Sequence, residues 1–521
     1  VSGEKLKRVR VAVSLIFLAS ISVLFLDARH SIPPAVGGFL VSLQFVPSLL
    51  RLFTYFDLTA VGLILVFALT VAFGRVYCSF LCPLGTLQDI VIHIEKKIHR
   101  RKRFTYGRPP FAFHYSVLVL TGLFVCMGSM TLLNILEPFS IYGRIVTGTA
   151  EPLVTLLNNG IAGIFAKFQV YFLYSIPLRE AGISVLVFSL AILALVVTMS
   201  YRHGRLFCNS LCPAGALLGL ISRISFVKIV IDRSACNDCG ACEKVCKASC
   251  IDSGAKRIDF GACVGCFNCI KSCPTDGVIY SRVRFALPQK AAPEYNPERR
   301  VFFKGVLAPT IGLALPAFMS GDSTSTSTDG YHENRNHPIS PPGSKSIRHF
   351  SGRCTACHLC VSACPSQVLT PAFLDYGFAG VFQPRMNYDA GYCNYDCTVC
   401  GQVCPTGAIL PAGVESKKLI QIGRAMFVKD DCIVVSKKMD CAACSEHCPT
   451  KAVYTVPYEG KLSIPELNND ICVGCGACEH ACPTTPRKAI YVRANPVHLV
   501  AKRPPVKKQE NAFDSNKDFP F

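Results

Sequence analysis

The 521 residues suffice for three or four structural units; half are hydrophobic and only 17% are charged, a balance that points to membrane segments. Thirty cysteines are far too many for an ordinary enzyme of this length. The net charge of +20 would suit nucleic acid or an acidic membrane surface, but the cations fall where membrane topology puts them, so a membrane and no nucleic-acid partner is expected.

Four apolar stretches come first, at 9–26, 57–73, 114–136 and 182–200. Each is about long enough to cross a hydrocarbon core of roughly 30 Å. A shorter apolar piece at 39–53 carries Gln44, Pro47 and Arg51 and reads as an interfacial or re-entrant element. Lys5, Lys7, Arg8 and Arg10 precede the first stretch, and Lys96, Lys97, Arg100, Arg101, Lys102 and Arg103 follow the second. The loops at 27–56 and 137–181 are poor in Lys and Arg. The positive-inside rule then places the N-terminus, the 74–113 loop and the segment after residue 200 in the cytoplasm.

Two motifs close the two-span halves of this region. Gly74-Arg75-Val76-Tyr77-Cys78-Ser79-Phe80-Leu81-Cys82-Pro83 follows the second stretch, and Gly204-Arg205-Leu206-Phe207-Cys208-Asn209-Ser210-Leu211-Cys212-Pro213 follows the fourth. An internal repeat with pseudo-two-fold symmetry would bring Cys78, Cys82, Cys208 and Cys212 together as a seventh metal centre or a paired dithiol; the alternative is thiols that merely pack a turn. Cys126 reads as a small apolar residue in mid-span. His114 and His203 lie near membrane ends, and no facing histidine pair suggests haem b.

The next run of cysteines is Cys236, Cys239, Cys242, Cys246, then Cys263, Cys266, Cys269 and Cys273. Neighbours two or three residues apart make poor disulfide partners, and zinc sites usually insert a longer stretch between two Cys pairs. The repeated C-x2-C-x2-C-x3-C run is the ferredoxin arrangement, in which the fourth Cys ligates the other cluster. One [4Fe–4S] cluster is therefore assigned to Cys236, Cys239, Cys242 and Cys273, the other to Cys263, Cys266, Cys269 and Cys246. Cys250 is left over, as a buried thiol or a substitute for Cys246.

Glu298-Arg299-Arg300-Val301-Phe302-Phe303-Lys304 and a weakly apolar stretch to Met319 read as a twin-arginine export signal inside the chain, or as a basic flank on a plain fifth span. Either way the remainder lies outside. Gly, Ser, Thr, Asp, Asn and Pro dominate a flexible linker over 321–350. The region 351–495 holds four more runs: Cys354, Cys357, Cys360, Cys364; Cys393, Cys397, Cys400, Cys404; Cys432, Cys441, Cys444, Cys448; and Cys472, Cys475, Cys478, Cys482. Each final Cys precedes Pro, so four further clusters are expected, with exchange of fourth ligands between the outer two runs and between the inner two. Cys354-Thr355-Ala356-Cys357-His358 matches the haem c attachment pattern, but Cys360 and Cys364 complete a ferredoxin run across it. The tail from 496 reads as disordered or as a docking strap.

The units are thus a membrane domain at 1–222, a two-cluster ferredoxin at 223–285, the signal-like fifth span at 296–320, the linker, a four-cluster ferredoxin and the tail. The fold class is an α-helical membrane bundle with four spans and a fifth Tat-like span, carrying α+β ferredoxin-like domains on both sides.

On these motifs the first 280 residues resemble the NapH-type membrane polyferredoxins, with two G-R-x-[YF]-C-x-x-x-C-P motifs before a two-cluster domain. From about residue 297 the chain is similar to the NapG-type periplasmic four-cluster ferredoxins, so the whole looks like a fusion of the two. The resemblance implies a multi-pass protein of the bacterial inner membrane with its C-terminal domain periplasmic. It implies oxidation of quinol from the quinone pool and delivery of electrons to a periplasmic reductase or multihaem cytochrome, within a multi-subunit complex. A relay between cytoplasm and quinone, or a regulator or assembly factor of a metalloenzyme, are the alternatives. Glu137, Arg144, Glu151 and His203 are candidate quinone-site groups or solvated loop charges. No G-x-G-x-x-G follows a strand, which argues against a hydride cofactor.

Overall fold

The structure is a computed structural model that describes residues 3–27, 32–55, 61–99, 104, 107, 111–172, 174–179, 183–282 and 337–504. The twin-arginine segment lies outside the described residues. In chain order, α1 (Gly3–Leu26) is followed by α2 (Pro34–Ser42) and α3 (Phe45–Tyr55), bent by 98° at their junction in the manner of a broken span or re-entrant element. Then come α4 (Val61–Phe73), the short α5 (Tyr77–Phe80) and α6 (Pro83–His99). α7 (Phe111–Cys126), α8 (Thr131–Leu136) and α9 (Pro138–Ile145) lead through a π turn at Val146–Ala150 into α10 (Glu151–Lys167). α11 (Ile183–His203), α12 (Leu206–Ser210) and α13 (Pro213–Ser222) complete the helical part.

Among the described residues two helices, α1 and α11, are long and apolar enough to cross a membrane, or three spans if the bent pair counts as one. The second stretch is described over Val61–Phe73, its first residues lying outside the described ones, and it stops at Gly74, whose φ of +80° ends a helix. The third stretch is broken rather than continuous, because Gly128 takes φ +82° after α7 and a second helix begins at Thr131. Cys126 consequently ends α7 in an exposed position rather than in mid-span.

The first cysteine-rich unit is closed by its own ends. β1 (Val227–Ile231) precedes α14 (Ala241–Lys244), β2 (Ile251–Asp252), β3 (Arg257–Ile258) and α15 (Asn268–Ser272). β1 then pairs antiparallel with β4 (Val278–Arg282). The second unit uses three antiparallel pairs: β5 (Leu369–Pro371) with β6 (Pro384–Met386), β7 (Ile420–Phe427) with β10 (Ile490–Val500), and β8 (Val453–Pro457) with β9 (Ser463–Leu467). Two boundaries move. The expected linker is packed from residue 337 on, where Ile339 is buried and its carbonyl accepts from Met386 N at 2.9 Å. The expected tail still pairs at Leu499 and Val500 with Gln421 and Ile420.

α1 meets a different cysteine-rich unit at each end. At its start Gly3 lies against Ile270, and Lys271 Nζ contacts Glu4 Oε1 at 3.0 Å. At its finish Phe25 packs on Phe139 and Tyr142, with ring centroids 5.6 and 6.5 Å away. Gly143 is wedged between the Phe25 ring and the Cys357 carbonyl, where any Cβ would collide with both. A single hydrophobic core runs from Cys266 and Cys269 through Cys78, Cys82, Cys208 and Cys212 to Cys357.

Within that core Asp89, on α6, binds Arg10 of α1 (2.5 Å), Arg205 (2.9 Å) and Lys247 of the first unit (3.1 Å). Burial alone would raise its carboxyl, but the three cations outweigh burial and hold it well below the usual carboxylate range. A depressed carboxylate stabilises above its unfolded pKa near 3.9 and loses that contribution as pH falls below it. Asp89→Asn strands buried cations and should cost about 3–5 kcal/mol. A thermal-melt comparison at pH 7 checks this; a Tm within a degree of the parent would contradict the role given to Asp89.

Candidate iron–sulfur centres

All thirty cysteines are free thiols. Among the described residues no three Cys, His, Asp or Glu groups converge tightly enough for a single metal ion. A lone zinc would need its thiolates about 2.3 Å away. The cysteines of the first unit instead line two cavities.

In the first unit one cavity is lined by Cys236, Cys239, Cys242 and Cys273, with about 360 Å³ free of protein atoms. A second, of about 320 Å³, is lined by Cys246, Cys250, Cys263, Cys266 and Cys269. The exchange of fourth cysteines read from spacing is the grouping these walls make. Gly240 and Gly265 take φ +66° and +63° at the loops, wrapping the chain around each cavity. Cys250 is the fifth thiol of the second cavity, its Sγ 3.5 Å from Cys246 Sγ.

The second unit corrects the expected pairing. Cys354, Cys357 and Cys360 sit with Cys404, and Cys393, Cys397 and Cys400 with Cys364. Cys432, Cys441 and Cys444 sit with Cys482, and Cys472, Cys475 and Cys478 with Cys448. Exchange thus joins the first run to the second and the third to the fourth, not outer to outer and inner to inner. The reason is packing: runs one and two share one hydrophobic core and runs three and four another. Cys393 N donates to Cys475 O at 2.9 Å, linking the two halves. His358 is no haem ligand. Its Nε2 meets Phe382 O at 2.8 Å and its Nδ1 faces Thr147 Oγ1 at 3.4 Å. Burial lowers its pKa to about 3.

The two C-x3-C-P motifs converge with two-fold regularity, and Cys78, Cys82, Cys208 and Cys212 are all buried. Arg75 Nη2 donates to Cys208 O (3.0 Å) and lies 4.0 Å from Cys78 Sγ; Arg205 Nη1 donates to Cys78 O (2.8 Å) and lies 3.9 Å from Cys208 Sγ. Gly85 N and Gly215 N donate to Cys82 Sγ and Cys212 Sγ at 3.4 and 3.3 Å. A Cβ on either glycine would collide with the Cys78 or Cys208 carbonyl. Burial pushes the Cys82 and Cys212 thiols well above their ordinary range, and neighbouring sulfurs add to it. His114, buried, reaches Cys212 O at 2.9 Å. Arg75 Nη1 also donates to Gly261 O at 2.8 Å, so the quartet borders the Cys263 loop. Arg75 and Arg205 had no role in the sequence reading. Their identical offset, three residues before the first Cys of each repeat, was the available signal.

Of the four residues considered for a quinone, Glu137 and Arg144 lie near each other at α9, and the other two lie apart from them. Glu137 caps α9, accepting from Phe139 N and Ser140 N. Arg144 is buried, donates to Ala356 O at 3.3 Å and lies over the Phe382 ring. His203 is exposed at the end of α11. Only Glu151 lines a cavity, opposite Arg179 at 3.3 Å.

Known proteins fit this picture. A family described as a 4Fe-4S binding domain matches residues 58–102 and 185–231, the two C-x3-C-P repeats. A 4Fe-4S dicluster domain matches 353–408 and 439–485. The electron transport protein YccM of Escherichia coli is 27% identical over 218 residues, covering 42% of this chain and 53% of YccM, so the chain spans about half of that relative. The ferredoxin-type protein NapF of Escherichia coli is 28% identical over 157 residues, 30% of this chain and 87% of NapF. The ferredoxin-type protein NapH of Haemophilus influenzae is 27% identical over 191 residues, 36% of this chain and 53% of NapH.

The pairing is open to a direct count. A Cys364→Ala/Cys393→Ala double variant should lose the iron and sulfide of one centre, because both side chains face the same site. Loss of two centres by iron and acid-labile sulfide analysis would restore the outer-to-outer pairing.

Proposed function

We propose that this chain, similar to the ferredoxin-type proteins NapF and NapH, is a membrane quinol dehydrogenase module of the NapH/NapG kind that holds six [4Fe–4S] clusters, with a periplasmic reductase or cytochrome as acceptor. The two cavities of the first unit fit such clusters in donor type, and the grouped thiols of the second unit support four more. Cys236, Cys239, Cys242 and Cys273 would hold the first, and Cys263, Cys266, Cys269 and Cys246 the second. The other four belong to the groups built on Cys354, Cys393, Cys472 and Cys432. Bound there, the clusters supply one-electron transfer with little ligand change. The observation that carries the reading is the order of those groups. Cys357 touches the helical part, Cys360 borders Cys400, and Cys393 borders Cys475, so a single file leads outward from the helices. The Lys and Arg bias and the twin-arginine segment support a periplasmic position for the second unit and a cytoplasmic one for the first, in a fusion of two polyferredoxins in the inner membrane of a multi-subunit complex. The test is redox-monitored EPR of the anaerobically purified chain. Menaquinol should reduce the centres of the second unit; reduction by a low-potential cytoplasmic donor alone would mean that the chain is a relay instead.

A second reading is favoured by the quartet of Cys78, Cys82, Cys208 and Cys212. Two buried guanidiniums beside four thiolates offset the negative charge of a cluster, and α1, at 24 residues, is about 36 Å long. Electron tunnelling weakens steeply over such a length, so a seventh iron–sulfur centre at the quartet, which borders the Cys263 loop, would shorten the gap between the two units. Cys78→Ala/Cys208→Ala should then lower the iron content by one centre with the other EPR signals retained. Unchanged iron would reduce the quartet to packing.

A further inference from the structure

A cavity with a polar lining lies between α10, the 174–179 segment and the Cys364 loop. It is lined by Thr147, Glu151, Thr155, Arg179, Ser362 and Cys364, among others, and encloses about 280 Å³. That is close to the lower end of small-molecule sites, roughly 300 Å³. Its walls are fastened from three sides. Asn159 exchanges hydrogen bonds with Ile176 O and N, both 2.8 Å, and Asn158 Nδ2 donates to Tyr174 O at 3.0 Å. Gln367 Nε2 donates to Pro177 O at 2.9 Å, tying the cysteine-rich unit to the same segment.

Two features of this cavity point to an amphipathic ligand. Glu151 and Arg179 face each other at 3.3 Å with side chains 17% and 11% exposed, Ser362 also interacts with the Glu151 carboxylate, and Arg179 Nε, buried, has no hydrogen-bond partner among the described residues. Buried polar atoms left this way carry a cost that a polar ligand group would relieve. The rest of α10 is apolar and open: Leu153, Leu157, Ile161 and Ile164 are 45–58% exposed. A polar pocket beside an uncovered apolar helix suits a headgroup with a lipid-soluble tail. The π turn immediately before Glu151 is the irregularity that helices often keep at functional sites.

We propose that this cavity is where the quinol headgroup binds, with Arg179 donating to one ring oxygen and Glu151 accepting the proton of the other hydroxyl. This rests on the quinol reading given above and names its site. Oxidation breaks two O–H bonds. The two electrons would leave one at a time for the iron–sulfur centres that the adjoining cysteines would hold, Ser362 and Cys364 of that loop lining the cavity. One proton passes to the Glu151 carboxylate and the other to water at the mouth. Burial raises the Glu151 carboxyl above its usual range, with Arg179 and the Ser362 hydrogen bond opposing, the direction a proton acceptor needs.

The experiment uses the full chain in detergent and two readouts: fluorescence titration with 2-heptyl-4-hydroxyquinoline N-oxide, a quinol analogue, and the rate of cluster bleaching by menaquinol. Arg179→Ala should weaken analogue binding at least ten-fold. Glu151→Gln should retain binding but slow bleaching at least ten-fold and flatten its rise with pH. Thr155→Phe, which fills the cavity without touching the ion pair, should block both and serves if Arg179→Ala fails to fold. Iron, sulfide and dithionite-reducible absorbance should match the parent throughout. Parent-like binding and bleaching in all three variants would overturn the cavity assignment while the quinol reading stood. A parent chain that no quinol bleaches would overturn both.

Discussion

A buried guanidinium must be paired, because an unpartnered charge in the interior costs several kcal/mol, and this chain buries two of them crosswise. Arg75 of the first repeat is held by the Cys208 carbonyl and Asn209 of the second, and Arg205 of the second by the Cys78 carbonyl of the first. Neither repeat can withdraw without stranding the other's cation. Asp89 extends the constraint, since the carboxylate that holds Arg205 also holds Arg10 at the start of α1 and Lys247 in the first cysteine-rich unit. Four pieces distant in sequence are thereby fixed around the C-x3-C-P cysteines. Gly85 and Gly215 let the motif carbonyls approach closely enough for it to happen.

Given that anchor, α1 acts as the spacer between the two cysteine-rich units. Its first turn is tied to Lys271 and Ile270, and its last turn presses Phe25 onto the helix that carries Gly143 and Arg144. The Cys357 loop then seats on that helix through a carbonyl contact at Gly143 and the Arg144 hydrogen bond to Ala356. The order of cysteine groups follows from these contacts and not from any flexible tether.

Spacing made the cysteine groups legible because a loop of two or three residues between ligands leaves few ways to wrap a cavity; the two cavities of the first unit match the assignment read from Cys236 to Cys273. Spacing said nothing about which run packs on which, and the fourth-ligand order of the second unit was misjudged for that reason: it is decided by long-range packing, such as the shared core of Val361, Ala408 and Ile409. Apolar length misled similarly. His114 to Leu136 reads as one hydrophobic stretch, yet Gly128 with positive φ divides it. Glu151 could be named as a polar group in a lipid-facing loop, but its partner Arg179 could not, since nothing in the intervening 27 residues announces the turn that brings them together.

The exchange of fourth cysteines carries a consequence for a two-electron donor. Because Cys360 groups with Cys354 and Cys357 while Cys364 groups with Cys393 and Cys400, the five-residue stretch from Cys360 to Cys364 serves two centres at once. Ser362, in the middle of it, and Cys364 both border the Glu151 cavity. A donor that must give up its electrons singly needs two acceptors near one bound headgroup, or a delay between steps while one acceptor empties. Sequential runs exchanging ligands meet that need with a single short loop. Outer-to-outer exchange would instead have put the second acceptor on the fourth run, behind the Cys393 group and away from the cavity.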